Sequence, residues 1–226
     1  MIARESETKY CALSPLINAL FNSAIASTNE LYSCVPAIER GTESHQRIGS
    51  SITPRSCHVK GTISCAFDTL TSDIMVVMYV FTTKKFKYYP EIQSQFNVAD
   101  ILDNGQGGNI SPTGTMLVMN NFPVAKEHVR LLSKKSFHLQ KGYGSQNGGS
   151  SSELGVAGGS QTIRTFDVKI KCPTTLKFDD NNGPRYPTNF APVIAFGYYH
   201  TDGTIPDALS RVLCVNATSQ LYYDDS

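Results

Sequence analysis

The run Ile74-Met75-Val76-Val77-Met78-Tyr79-Val80-Phe81 carries no polar group except one phenol. Any element built from it needs apolar cover on both faces. It is far too short to span a membrane, and its β-branched and aromatic content favours a strand over a helix. The segment "DIMVVMYVFTT" therefore predicts a central strand buried on both sides.

The flanking segments alternate instead. "SCHVKGTISCAF" sets Cys57, Val59, Gly61, Ile63, Cys65 and Phe67 on one face and His58, Lys60, Thr62 and Ser64 on the other. "ELYSCVPAI", "QTIRTFDVKIKC", "APVIAFGYYHTDG" and "LSRVLCVNATSQLYYDD" read as strands. "HVRLLSKKSFHLQ" reads as a strand with a bulge or an exposed tract at Lys134-Lys135. "FNVADIL" suggests a helical turn, and "SPLINALFNSAIAS" fits either a short helix or an extended arm. About eight strands, unequal loops and no alternation of strand with helix predict an all-β fold. We expect a single eight-stranded antiparallel jelly-roll sandwich with long loops and an N-terminal arm. The expected division is 1–30 as an arm or interface segment and 31–226 as the jelly-roll domain. A length of 226 residues suits one such unit, and the abundance of Ser, Thr, Asn and Gly suits its loops. The Gly- and Ser-rich stretch Gly142 to Ser160 and the stretch Gly105 to Gly114 are the longest expected loops.

A net charge of +1 argues against nucleic-acid binding by bulk charge alone. None of the six cysteines forms a C-x-x-C pair, and the N-terminal residues lack the apolar core of a signal peptide. These features predict reduced cysteines in an intracellular setting, with no membrane partner. The sequon Asn216-Ala217-Thr218 is then coincidental.

Catalytic vocabulary is sparse, and no enzyme is expected. Cys57 and His58 are adjacent on a strand and point to opposite faces. His128 and His138 lie outside ordinary metal-ligand spacings, and no G-x-S-x-G, H-E-x-x-H or P-loop occurs. Asp179 and Asp180 open a run of oxygen donors that lacks the spacing and closing Glu of an EF-hand, so a turn is the plainer reading. No cofactor is expected. An intersubunit calcium on Asp179 and Asp180, shared with Asp224 or Asp225 of another chain, is the secondary reading, and "LYYDDS" is otherwise a solvated end. Cations do cluster: Lys84, Lys85 and Lys87 interleave with Phe86, Tyr88 and Tyr89; Lys134 and Lys135 are adjacent; Arg40, Arg47, Arg55 and Lys60 flank one loop. Basic residues beside aromatics can hold phosphates and stack single-stranded bases, although a solvated rim is the plainer reading of the Lys84 group.

The most specific pattern is "GTESHQRIGSSITPRSCHVKGTIS", followed by "DIMVVMYVFTTKK" and "LLSKKSFHLQ". It resembles the capsid proteins of small circular, Rep-encoding single-stranded DNA viruses. In those, a tract G-x-x-x-x-QR-[IV]-G-x-x-I leads into a strand S-x-x-[VI]-x-G. Here Gly41, Gln46, Arg47, Ile48, Gly49, Ile52, Ser56, Val59 and Gly61 stand at those places. The resemblance covers residues 31–140 by motif. It implies a coat protein that self-assembles into an icosahedral homo-oligomeric shell around viral single-stranded DNA, found in the virion and in the host cell during assembly. It further implies a lead-in loop near a subunit boundary, with Gly41 and Gly49 permitting tight turns. Gln46, Arg47 and Ile48 would lie at an interface. Arg47, Arg55, Lys60, Lys84, Lys85, Lys87, Lys134 and Lys135 would meet DNA. One departure stands out: the first thirty residues carry only Arg4 and Lys9 as cations, where family members begin with a strongly basic arm. Two other readings stay open. One is the shell protein of a small RNA virus. The other is a monomeric lectin-like β-sandwich using Tyr198-Tyr199 or Tyr222-Tyr223 as a carbohydrate platform.

Overall fold

A computed structural model of the chain describes residues 8–65, 72–140, 163–179, 185–207 and 211–225. Its strands are β1 (Thr8–Phe21), β2 (Tyr32–Ser33), β3 (Ser51–Cys65), β4 (Ile74–Thr83), β5 (Leu102–Asp103) and β6 (Asn109–Ile110). They continue with β7 (Val129–Leu139), β8 (Ile163–Ile170), β9 (Leu176–Lys177), β10 (Pro192–His200) and β11 (Leu213–Asp225). Two short helices, α1 (Tyr89–Gln95) and α2 (Met116–Asn121), lie between β4 and β7.

Nine of these strands form two antiparallel sheets. One runs β1-β11-β3-β8, with β9 attached to β3; the other runs β2-β10-β4-β7. The chain crosses between sheets at nearly every connection, and its last long strand lies between the first and third. That is the strand order of a jelly roll, as the pattern predicts.

One core fills the space between the sheets. β3 sends Cys57, Val59 and Ile63 inward, β4 sends Val76, Met78 and Val80, and at the centre Phe196 meets Phe21 edge to face and Phe166 at a tilt. The other face of the second sheet is covered too. Val77, Tyr79, Phe81, Val193, Ala195 and Tyr199 pack beneath the segment carrying α1, α2 and the β5–β6 hairpin. β4 is thus buried on both faces, which explains its unbroken apolar run. Among the described residues the outer face of the first sheet has no such cover; β3 and β11 turn mainly polar residues outward, whereas β1 presents Leu13, Ile17 and Leu20.

Gly61 marks the closest approach in that sheet. A Cβ there would lie 2.2 Å from the Asn216 carbonyl oxygen and 2.8 Å from the Phe166 ring. Only a residue without a side chain lets β3 pass between β11 and β8 at this point.

Two expectations change. Residues 8–21 are not an arm outside the sandwich: β1 pairs with β11 from Thr8↔Asp224 to Phe21↔Leu213 and buries Cys11, Leu16 and Phe21. Register shifts on either side of Leu16, and Asn18 at φ 47°, break its period and hide it from pattern reading. The closing "YYDD" is also no solvated end, because Tyr223 and Asp224 are buried. β7, expected to bulge or to be exposed at Lys134-Lys135, keeps those residues in register and bulges just before them. Its register against β4 slips where Val80 faces Ser133 and Phe81 faces Leu131.

Candidate functional site

The tract that carries the family resemblance sits at the end of the sandwich where β1, β3 and β11 converge. Its backbone loops back on itself: Arg47 N–H donates to Glu39 O, and Gly41 N–H donates to Arg47 O, both at 2.9 Å. Gly41 leaves room for the Gln46 amide rather than making a turn, and a side chain there would push that amide aside. Its φ is not positive, and a Cβ would lie 2.0 Å from Gln46 Oε1. Gln46 also ties the loop, accepting from Glu43 N–H at 3.2 Å and donating to Glu39 Oε2 at 3.3 Å.

Arg47 is fully buried, which corrects its assignment to DNA or to a neighbouring chain. One guanidinium nitrogen donates to Gly49 O at 2.7 Å and another to Asp179 O at 2.8 Å. The plane stands over the Phe178 ring at 4.9 Å. The fork geometry that suits a phosphate also suits two carbonyls held at a fixed spacing. Asp179, the described member of the weak calcium pair, thus contributes a backbone oxygen to Arg47. Asp180 lies outside the described residues.

Neighbouring charges are also satisfied within the chain. Buried Lys9 donates to Gln46 O at 2.9 Å and pairs with Asp225 at 2.7 Å, and Asp225 accepts from Ile48 N–H. Asp224 accepts from Thr8 Oγ1 at 3.0 Å and from Arg55 Nε at 2.6 Å. Asp224 and Asp225 are thus both engaged by groups of their own chain. Among the described residues no group of His, Cys, Asp or Glu is arranged to hold a metal. Of the three expected interface residues, Gln46 is half-buried, Arg47 buried, and Ile48 58% exposed.

The remaining predicted cations do not form one patch. Lys60 and Lys135 converge on Asp167: Lys60 Nζ lies 3.6 Å from its carboxylate, and Lys135 Nζ donates to its carbonyl at 2.9 Å. His58 Nδ1 sits 2.9 Å from the same carboxylate. Lys134 turns to the opposite side, donates to Met119 O at 2.7 Å and lies over the Tyr79 ring. Burial there holds its ammonium pKa below the usual lysine range. Lys85 rests over Phe86, and Lys87 donates to Thr83 O at 3.0 Å. Tyr88 is half-buried and Tyr89 buried, its hydroxyl donating to Leu31 O at 2.8 Å, so these rings offer no open stacking platform.

Asp167 permits a pH test. The hydrogen bond from His58 is the main cause that holds its carboxyl below the usual range, with Lys60 adding to it. A depressed carboxylate pKa stabilises the fold above the unfolded value, and that share is lost as pH falls through the folded one. The group is half-exposed, so the share is under about 1 kcal/mol. Asp167→Asn is expected to lower the urea midpoint near neutrality and leave it unchanged well below pH ~4. Equal shifts at both pH values would remove the charge explanation.

Sequence reading missed the best-placed cationic group. Lys84, Lys126 and Arg130 rim a cavity of about 430 Å³ with Val124, Val129 and Leu131 on its walls. Register explains the meeting, since β4 ends with Thr83↔Val129 and so returns Lys84 to the start of β7. Pairing those two strands from sequence alone would have found it. All three cations are exposed, and none makes an ion pair among the described residues.

The tyrosines of the lectin-like reading are largely inaccessible. Tyr198, Tyr199 and Tyr223 are buried, and only Tyr222 is exposed, its ring 4.7 Å from that of Tyr10. Large exposed apolar side chains concentrate instead on the edge strand β1. Leu13 is 41%, Ile17 72% and Leu20 54% exposed.

No family model matches this sequence, and no curated protein does. Among solved structures, the chain is similar to one from desmodium yellow mottle tymovirus. The two are 9% identical with a TM-score of 0.36, over 100% of this chain and 91% of that one.

Proposed function

We propose that the chain is a viral coat protein whose copies assemble into a closed icosahedral shell around single-stranded DNA. The observation that carries this reading is the edge of the first sheet. β1 pairs on one side only, among the described residues, and presents Leu13, Ile17 and Leu20 to solvent. Exposed apolar residues along an unpaired edge favour contact with another surface. The jelly-roll strand order and the motif resemblance over residues 31–140 add support, and the resemblance favours DNA over RNA as cargo. The shell works by shape and burial, without chemistry of its own. Lys84, Lys126 and Arg130 are the cations best placed to meet phosphate, with the Val124–Leu131 floor available to a base.

Electron microscopy of purified protein, with nuclease digestion of the same fraction, tests both halves. Closed particles holding nucleic acid that resists DNase until the shell is opened are expected. A triple Lys84→Glu, Lys126→Glu, Arg130→Glu variant should give closed shells with several-fold less DNA. Protected RNA instead of DNA would replace the cargo reading, and a monodisperse monomer at high concentration would overturn the shell.

A further inference from the structure

Where the first sheet is crossed at Ser56, exposed rings and cations lie in one row. Tyr222 on β11 is opposite Ser56 on β3 and, on its other side, opposite Tyr10 on β1. Both tyrosines are exposed, with ring centroids 4.7 Å apart at 39°. Their neighbours Cys11, Leu221 and Tyr223 are buried, so alternation sets the two rings on the outward face. Ser56 also lines a second cavity, of about 470 Å³, together with Arg55 and, from the β8 side, Lys169 and Lys171. Val168 and Ile170 turn into the core, which puts Lys169 on the same outward face as the rings, and Lys171 is exposed just beyond the strand. No acidic residue lines this cavity among the described ones. Arg55 donates to Asp224 yet keeps 61% of its side chain exposed. Asp167, two residues before Lys169, is held by His58 and Lys60.

The Lys84 cavity sets its cations against aliphatic walls, whereas here they stand beside rings. Rings on an open sheet face stack with unpaired bases, and cations next to them hold the adjoining phosphates. The dimensions agree. β8 is two strand spacings from β11, about 10 Å, which a nucleotide and a lysine side chain span together. Lys169 and Lys171 are about 6–7 Å apart along the chain, close to the step between successive phosphates of an extended single strand. A duplex keeps its bases stacked on one another and has none to offer a ring. With a net charge of only +1, bulk attraction for nucleic acid is weak, so binding depends on this local arrangement.

We propose that this face binds single-stranded nucleic acid, with a base on the Tyr10–Tyr222 pair and the adjoining phosphates at Arg55, Lys169 and Lys171. A strand held there leaves Ile17 and Leu20 free for a subunit contact, because they lie toward the other end of β1. Binding of this kind requires only the folded subunit, so it is read apart from shell formation.

The test titrates the full-length protein into a short labelled oligothymidylate and follows anisotropy over a salt series. Lys169→Glu combined with Lys171→Glu is expected to weaken binding about tenfold or more at low salt and to reduce the slope of log affinity against log salt by about 1.4. Tyr222→Leu should weaken it about tenfold with the slope unchanged, while Tyr222→Phe, which keeps the ring, should bind as the wild type does. Duplex of the same length should bind more weakly than the single strand. Oligouridylate should bind within about threefold of oligothymidylate, since base and phosphate are the groups met; a larger preference would overturn that mode of contact. All three altered side chains are exposed, so urea midpoints near that of the wild type are expected. No binding by the wild type, or equal loss in Tyr222→Leu and Tyr222→Phe, would overturn the stacking site. Tighter binding of duplex or of a heparin-derived oligosaccharide would give the face to another polyanion and overturn the proposal. So would loss of all binding in the triple Lys84→Glu, Lys126→Glu, Arg130→Glu variant with Tyr222→Leu unaffected. The expected pattern on a subunit that forms no particles would retain this site and remove only the shell.

Discussion

Arg47→Ala is expected to lower the unfolding free energy by about 3–5 kcal/mol, since two hydrogen bonds from a charged donor at about 1.5–3 kcal/mol each are lost. The variant leaves the Gly49 and Asp179 carbonyls in a buried site that water reaches poorly, and removes the plane above Phe178. Damage should spread along the chain, because the guanidinium joins the loop before β3 to the segment after β9. Equilibrium urea unfolding measures it. Arg47→Lys should recover less than half the loss, since one ammonium cannot reproduce a planar fork between two fixed carbonyls. A loss under about 1 kcal/mol for the alanine variant would show that the loop is held by its backbone bonds alone.

The second large effect falls on assembly and leaves folding intact. Ile17→Lys combined with Leu20→Lys changes two side chains that are 72% and 54% exposed, so the subunit should unfold within about 0.5 kcal/mol of wild type. If β1 is a subunit contact, each of these side chains contributes about 1.5–3 kcal/mol when covered. Losing both raises the concentration needed for shell formation by about two to four orders of magnitude. Sedimentation over a concentration series reads the shift directly. Particles forming at the wild-type concentration would place the contact elsewhere on the molecule. The bulges of β1 matter here: they interrupt the ladder, so a neighbour meets side chains rather than extending the sheet.

The sandwich was legible where one physical demand dominated. β4 had to be covered twice because it offers no polar face, and β3, β8 and β11 declare their faces by strict alternation. β1 was not legible, because its buried residues Cys11, Leu16 and Phe21 fall five apart and the apolar residues between them face out. Of the candidate contacts, Ile48 is exposed as an interface residue must be, whereas Arg47 is not. An arginine in a polar loop suggests an external anion. Here its partners are carbonyls, one of them on Asp179, far along the chain. The same distance hides Lys9 with Asp225 and Arg55 with Asp224. Long-range partners of this kind leave no periodic trace, and neither does the meeting of Lys84 with Lys126 and Arg130.

The position of β11 sets the order in which the molecule can be completed. Among the described strands it is the last in chain order, yet it lies between β1 and β3, the first and second long ones. Until Leu213 and the residues after it are synthesised, β1 has no sheet partner among the described strands and β3 has only β8 and β9. A nascent chain released early therefore lacks the middle of one sheet rather than its rim. If copies of the chain assemble, the exposed face of β1 is set in place only once β11 has been made, which orders folding before assembly.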